Sequence, residues 1–181
     1  MAEYRDLLAT APVELDGLDA DVDETGDTYE ENAILKARAA AAATGLPALA
    51  DDSGLEVEAL GGDPGLHSRR LATSQAARNQ ALWDRLSNTP RPWNARFVCV
   101  IALATPDGAV ETFRGQVDGE LLPEPRGEGG FGYDPVFLVP ELGQTFGEIS
   151  AAEKHRWSHR GRALEQLRRS GSLARLSTIP S

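Results

Sequence analysis

Apolar and polar positions divide the chain into alternating helical and extended stretches. Tyr4, Leu7 and Leu8 fall on one face of a short helix ended by Ala11-Pro12. Residues Glu14 to Asp27 are acidic and turn-rich, which predicts a strand edge and a surface loop. Thr28-Tyr29-Glu30-Glu31 is a capping box, with Thr28 as N-cap, and the alanine-rich run behind it predicts a helix that stops at Thr44-Gly45. An apolar run opened by Pro47 predicts a buried strand that ends in Asp51-Asp52-Ser53 and breaks at Gly54. Leu55, Val57 and Ala59 then alternate with Glu56 and Glu58 as a half-exposed strand, broken by the turn Gly61 to Gly65. Ser74 caps a helix across Gln75 to Leu86, with Leu82, Trp83 and Leu86 inward.

The second half reads differently. Ala95 to Ala104 is a near-continuous apolar run and predicts a central strand. Pro106-Asp107-Gly108 turns it, and Val110 to Phe113 returns as a hairpin. A glycine-crowded stretch follows, from Arg126 to Pro135, and then a short strand at Val136 to Val139. Ser150-Ala151-Ala152-Glu153 repeats the capping box and opens a short helix carrying Lys154. Ser158 to Arg162 interrupts it, and a last helix with Leu164 and Leu167 inward stops near Gly171. The pattern is that of one α/β unit with the hairpin as a lobe.

Composition narrows the picture. At 181 residues the chain suits a single domain over 1–181. Its hydrophobic content of 41% and charged content of 25% are those of a globular protein. No apolar run approaches the ~20 residues of a membrane span, and the N-terminus has no signal-peptide character. Cys99 is the one cysteine and sits in an apolar run, as a core thiol suited to a reducing cytoplasm. A net charge of −10 disfavours nucleic acid and anionic membranes as partners. A phosphorylated small substrate would then need local cations or a bridging metal.

Candidate chemistry centres on Asp51 and Asp52. Two adjacent carboxylates repel unless a proton, a cation or a metal intervenes. Two readings fit: both face a metal and a phosphate at a strand end, or both are solvated in an Asx-turn or helix cap. Lys36 lies one helical turn from Asn32 on an alanine-rich helix, which favours a phosphate-facing role over a solvated one. Glu24, on local evidence, is one more acid in an acidic loop. The glycines around Phe131, Gly132 and Tyr133 permit close approach to a flat or anionic ligand, or form a plain hairpin loop.

Four motifs occur in order: Thr28 to Ala37 (TYEENAILKA), Ala50 to Leu55 (ADDSGL), Gly130 to Pro135 (GFGYDP) and Ser158-His159-Arg160. Together they resemble the inosine/xanthosine triphosphate pyrophosphatase family, over roughly Glu3 to Leu167. The resemblance implies an elongated α/β fold, a mixed sheet with flanking helices and two lobes around a central cleft, usually a homodimer. It implies Mg²⁺-dependent cleavage between the α- and β-phosphates of dITP, ITP and XTP. By it, Asp52 is the proton acceptor and a metal ligand, Asp51 supports it, and Glu24 is the second metal ligand. Lys36 and Ser53 touch phosphates. Phe131 stacks on the purine, Gly132, Tyr133 and Asp134 complete that wall, and Lys154, His159 and Arg160 surround the base and its 6-oxo group. Donors aimed at that oxygen would reject adenine; excluding GTP would have to use the 2-amino position.

One departure from the family pattern is expected to matter. The family opens with a strand and an Asn/Lys phosphate loop, whereas this sequence opens at the helix from Glu3 to Leu8, so reduced activity is expected of the chain as written. Two alternatives accompany the main reading. One is a nucleotide-binding homologue impaired in turnover; the other is a pyrophosphatase with a different base preference.

Overall fold

The computed structural model describes residues 22–68 and 71–176. The helix expected at Tyr4 to Leu8, most of the acidic stretch and the Arg69-Arg70 pair lie outside the described residues.

Helix α1 (Tyr29–Thr44) starts and stops as the sequence dictates. The Thr28 hydroxyl accepts from the Glu31 backbone N–H, and the Glu31 carboxylate accepts from Thr28 in return. Gly45 ends it in the left-handed region at φ 68. Its inward face carries Asn32, Ala33, Ala37 and Ala41, small side chains that let the helix lie close to its neighbours.

Strand β1 (Ala48–Val57) follows. Contrary to the expected break at Gly54, it runs straight through Asp51-Asp52-Ser53-Gly54, and its alternation ends at Val57 because Glu58–Leu60 form a 3-10 turn. The sheet is completed by β2 (Pro64–Gly65), β3 (Trp93–Ala104), β4 (Val110–Leu121), β5 (Phe137–Val139) and β6 (Gln144–Thr145), in spatial order β2-β1-β3-β4-β5-β6. The β1–β2, β4–β5 and β5–β6 ladders are antiparallel. Asp51 meets Cys99 while Glu56 meets Arg96, so position rises on β1 as it falls on β3. Thr105 N–H donates to the Ala109 carbonyl at 3.0 Å and closes the β3–β4 hairpin. Among the described residues four more helices flank the sheet: α2 (Gln75–Leu86), α3 (Ala151–Trp157), α4 (His159–Ser170) and α5 (Ser172–Leu176).

The chain divides into two compact units. Of the described residues, the first takes those up to Asp52, Cys99–Gly115 and those from His159 on. Its core joins Cys99, Ile101, Leu103 and Phe113 to Ala163, Leu164 and Leu167 of α4. The helix lies so near the strand that a Cβ on Gly115 would sit 1.9 Å from the His159 carbonyl oxygen. The second takes Ser53–Val98 and Gln116–Ser158. Leu55, Val57, Leu82, Leu86, Val117 and Leu121 pack there around Phe97, Phe137 and Phe146. The Phe97 and Phe137 ring centroids are 4.5 Å apart, within the range of favourable aromatic pairs.

Candidate active-site residues

In the first unit, three elements deliver four side chains to one point. Just after Glu24, the Gly26 N–H donates to Asn32 Oδ1 at 2.8 Å. A side chain at Gly26 would strike Asn32 and Glu31. From α1, Asn32 Nδ2 donates to Asp52 Oδ2 at 3.2 Å. One turn later, Lys36 Nζ donates to Glu24 Oε1 at 3.0 Å and to Asp52 Oδ1 at 3.1 Å. Asp52 thus receives a donor on each carboxylate oxygen, and Glu24 is brought to the same cation. Burial still dominates its charge: loss of solvent raises the Asp52 pKa above its ordinary 3.8, Lys36 and Asn32 oppose that rise, and Glu24 adds to it.

Asp51 faces differently, as alternate residues of a strand must. Arg160 Nε and Nη2 both donate to Asp51 Oδ2 at 3.1 Å, and Cys99 Sγ approaches the same oxygen at 3.9 Å. Both members of the ion pair are about four-fifths buried. His159, the first residue of α4, is buried beside it in sequence. Arg160, expected near the base, is therefore tied to the residue expected only to support Asp52.

In the second unit the glycine-rich loop builds a separate cluster. Lys154 Nζ donates to Asp134 Oδ2 at 2.6 Å, with both side chains buried. The same oxygen accepts the Phe131 backbone N–H at 2.6 Å. The Lys154 ammonium also lies 4.0 Å from the Phe131 ring centroid, in cation–π contact. Phe131 is nevertheless 59% exposed, whereas the other aromatics among the described residues are buried or packed partly buried against the core. Tyr133 is one of those: its hydroxyl donates to the Ser68 carbonyl at 3.0 Å, and burial pushes its pKa up to about 12. Gly132 holds φ 63 with open space where a Cβ would be, and Ser53 is half-buried on β1.

The structure thus gathers Glu24, Lys36 and Asp52; it pairs Asp51 with Arg160; and it joins Phe131, Asp134 and Lys154. Sequence reading missed Asn32 as a member of the first group. Its spacing from Lys36 and its position amid buried alanines were the available signals. A cavity of ≈ 630 Å³ in the second unit is lined by Glu56, Glu58, Asn94, Arg96 and Asp118 among others, and holds none of the predicted site residues.

The donor set suits a hard cation. Glu24 and Asp52 converge on a single ammonium, so two carboxylate oxygens already define one cation position. Two carboxylates with the remaining sites left to water and phosphate is the usual ligation of Mg²⁺. Among the described residues no group of three or more His, Cys, Asp or Glu side chains is assembled for a metal.

The sequence and the fold are both similar to those of known proteins. The sequence model of the Ham1 family matches residues 1–170. A dITP/XTP pyrophosphatase of Symbiobacterium thermophilum is 54% identical over 167 residues, 90% of this chain and 84% of the relative. One from Thermus thermophilus is 55% identical, covering 80% of this chain and 71% of the relative. Among solved structures, a HAM1 protein from Coxiella burnetii superposes with a TM-score of 0.85 at 43% identity, covering 94% of this chain and 92% of that one. A nucleoside-triphosphatase / dITP/XTP pyrophosphatase from Mycobacterium abscessus gives 0.73 at 39% identity, with 92% and 91% covered.

Proposed function

The chain belongs to the Ham1 family, and from that premise we propose that it is a pyrophosphatase acting on deaminated purine nucleoside triphosphates. It converts dITP, ITP and XTP to the monophosphate and pyrophosphate and so clears them from the nucleotide pool. The observation that carries this reading is the convergence of Glu24, Lys36 and Asp52 on one point.

Glu24 and Asp52 are the residues to hold Mg²⁺. When bound, it would neutralise phosphate charge and hold the anhydride in line for displacement. Asp52 takes the proton of the attacking water. Asn32 keeps the Asp52 carboxylate in one orientation, since its own amide is fixed at the other end by Gly26. Lys36 serves the phosphates, and Ser53 follows on the same strand as a hydroxyl donor. Asp51 holds the Arg160 guanidinium in a set direction. Arg160 and His159 are assigned to the 6-oxo edge of the base. Phe131 provides the exposed ring for stacking and Lys154 a donor beside it. An adenine amino group would face donors that its own hydrogens leave unpaired, at a cost of about 1–3 kcal/mol per buried group.

A reading in which the chain binds nucleotide without turnover is not favoured, because the proposed base and both carboxylates for the metal are present and converge. No helix among the described residues is long and apolar enough to cross a membrane. A homodimer is proposed from the family resemblance and a cytoplasmic location from the buried thiol of Cys99; light scattering on the purified protein checks the dimer.

The activity is tested by product analysis. ITP, XTP, dITP, GTP, ATP and TTP are incubated with the protein and Mg²⁺, and products are separated by ion exchange. IMP and pyrophosphate in equal amounts, with ITP preferred over ATP by about 100-fold or more, is the expected result. IDP and orthophosphate, or equal rates on ATP, would overturn the proposal.

A further inference from the structure

Resting on the reading of Phe131 and Lys154 as the base end of the site, we infer that Asp134 is a positioning residue that acts through them and does not itself contact the base. Three observations converge on its carboxylate. Oδ2 accepts the Lys154 ammonium and the Phe131 backbone N–H, each at 2.6 Å. The Asp134 side chain is 3% exposed, whereas Phe131 is 59% exposed, so the two neighbours in the motif face different surroundings. Gly130, at φ 72, brings the loop so close that a Cβ there would lie 2.1 Å from that same oxygen.

A carboxylate with two short, charge-assisted or backbone donors on one oxygen is costly to turn away. It fixes the ammonium on one face of the Phe131 ring, 4.0 Å from the centroid, and it fixes the backbone from which that ring projects. The ammonium is thereby held against the ring in a fixed cation–π geometry. The carboxylate also offsets the lysine charge, so that Lys154 presents hydrogen-bond donors without a full net positive charge at a site meant for a neutral base. A base-contacting acid would need the opposite arrangement, an oxygen facing solvent.

A double-mutant cycle on kcat/KM for ITP tests this. Asp134→Asn and Lys154→Met are each expected to lower kcat/KM by about 10- to 100-fold, and the double variant to lose clearly less than the product of the two, because coupled residues are not additive. Losses that multiply would overturn the inference. The ratio of ITP to ATP turnover should fall equally in both single variants, which a merely unfolded fraction would not produce.

Should Asp134→Asn fail to fold, nuclear magnetic resonance of the unaltered protein decides the matter. The Phe131 amide, donating to a carboxylate, is expected far downfield and slow to exchange, and to stay so when a non-hydrolysable α,β-imido ITP and Mg²⁺ are added. Loss of that shift on nucleotide addition, with other loop amides responding, would overturn the positioning role alone. No response anywhere in residues 129–134 or at Lys154 would overturn the base-site reading together with it.

Discussion

The ammonium of Lys36 stands 3.1 Å from the Asp52 carboxylate and draws Glu24 to within 3.0 Å of the same nitrogen. Replacing Lys36 with Met leaves two carboxylates facing each other with no cation between them. The thermal midpoint is expected to fall without Mg²⁺ and to recover in its presence by more than the unaltered protein does. Loss of a charged donor to the phosphates should lower kcat/KM for ITP by roughly 10- to 100-fold, the equivalent of about 1.5–3 kcal/mol. Thermal shift with and without Mg²⁺, beside steady-state kinetics, checks both.

Asp52 also sets the pH dependence. An acid whose folded pKa exceeds its unfolded value binds its proton more tightly in the folded state. Its stabilising contribution is complete below the unfolded value of 3.8 and fades as pH rises through the raised folded value. The ionised base is therefore held at a stability cost at neutral pH, as functional sites often are. Without Mg²⁺, Asp52→Asn should have a thermal midpoint at pH 7 no lower than that of the unaltered chain. Scanning calorimetry at pH 4 and pH 7 gives the sign: the variant's relative stability must increase with pH.

Gly115 is a packing requirement with consequences for Arg160. A methyl group there would meet the His159 carbonyl oxygen at 1.9 Å and the Ala163 nitrogen at 2.5 Å, both backbone atoms of α4. Because neither can step aside alone, Gly115→Ala should destabilise by about 1–3 kcal/mol or more. The helix it displaces carries His159 and Arg160, so kcat/KM should fall in the fraction that still folds. Chemical denaturation with activity measured below the transition separates the two effects.

Phe131 offers the contrasting case. A ring that is 59% exposed adds little to the core, so Phe131→Ala should change stability by no more than about 1 kcal/mol, the range of an exposed cation–π pair. Loss of a stacking face should raise KM for ITP by about 10-fold or more, since base–aromatic stacking is worth about 1–3 kcal/mol. Denaturation and ITP kinetics on one preparation suffice.

Local signals made much of this fold legible. Both capping boxes, at Thr28 and Ser150, form as their side chains require, and the apolar run to Ala104 became the central strand β3. The errors have one physical origin. Gly54 suggested a strand break, and Gly115 and Gly119 concealed the second half of β4, because glycine ordinarily weakens a strand. At Gly115 and Gly119 it is there because neighbouring backbone comes too close for any side chain, the Leu138 carbonyl lying 2.5 Å from a Cβ at Gly119. Such close approach is a tertiary fact, absent from local pattern. The same holds for the site. Lys36 and Asp52 were visible as types in motifs, whereas the pairing of Asp51 with Arg160, 109 positions apart, arises only when α4 packs on β3. Tyr133 shows the converse, a motif residue whose ring belongs to the core.

The most direct measurement is the rate of pyrophosphate release from ITP by Asp52→Asn in saturating Mg²⁺, on protein whose circular dichroism matches that of the unaltered chain. With the base removed and Asn32 and Lys36 still in place, kcat should fall by about 100- to 10,000-fold, the range for loss of a general base. A rate within a few-fold of the unaltered protein would contradict the assignment of Asp52, and with it the proposed chemistry of the site.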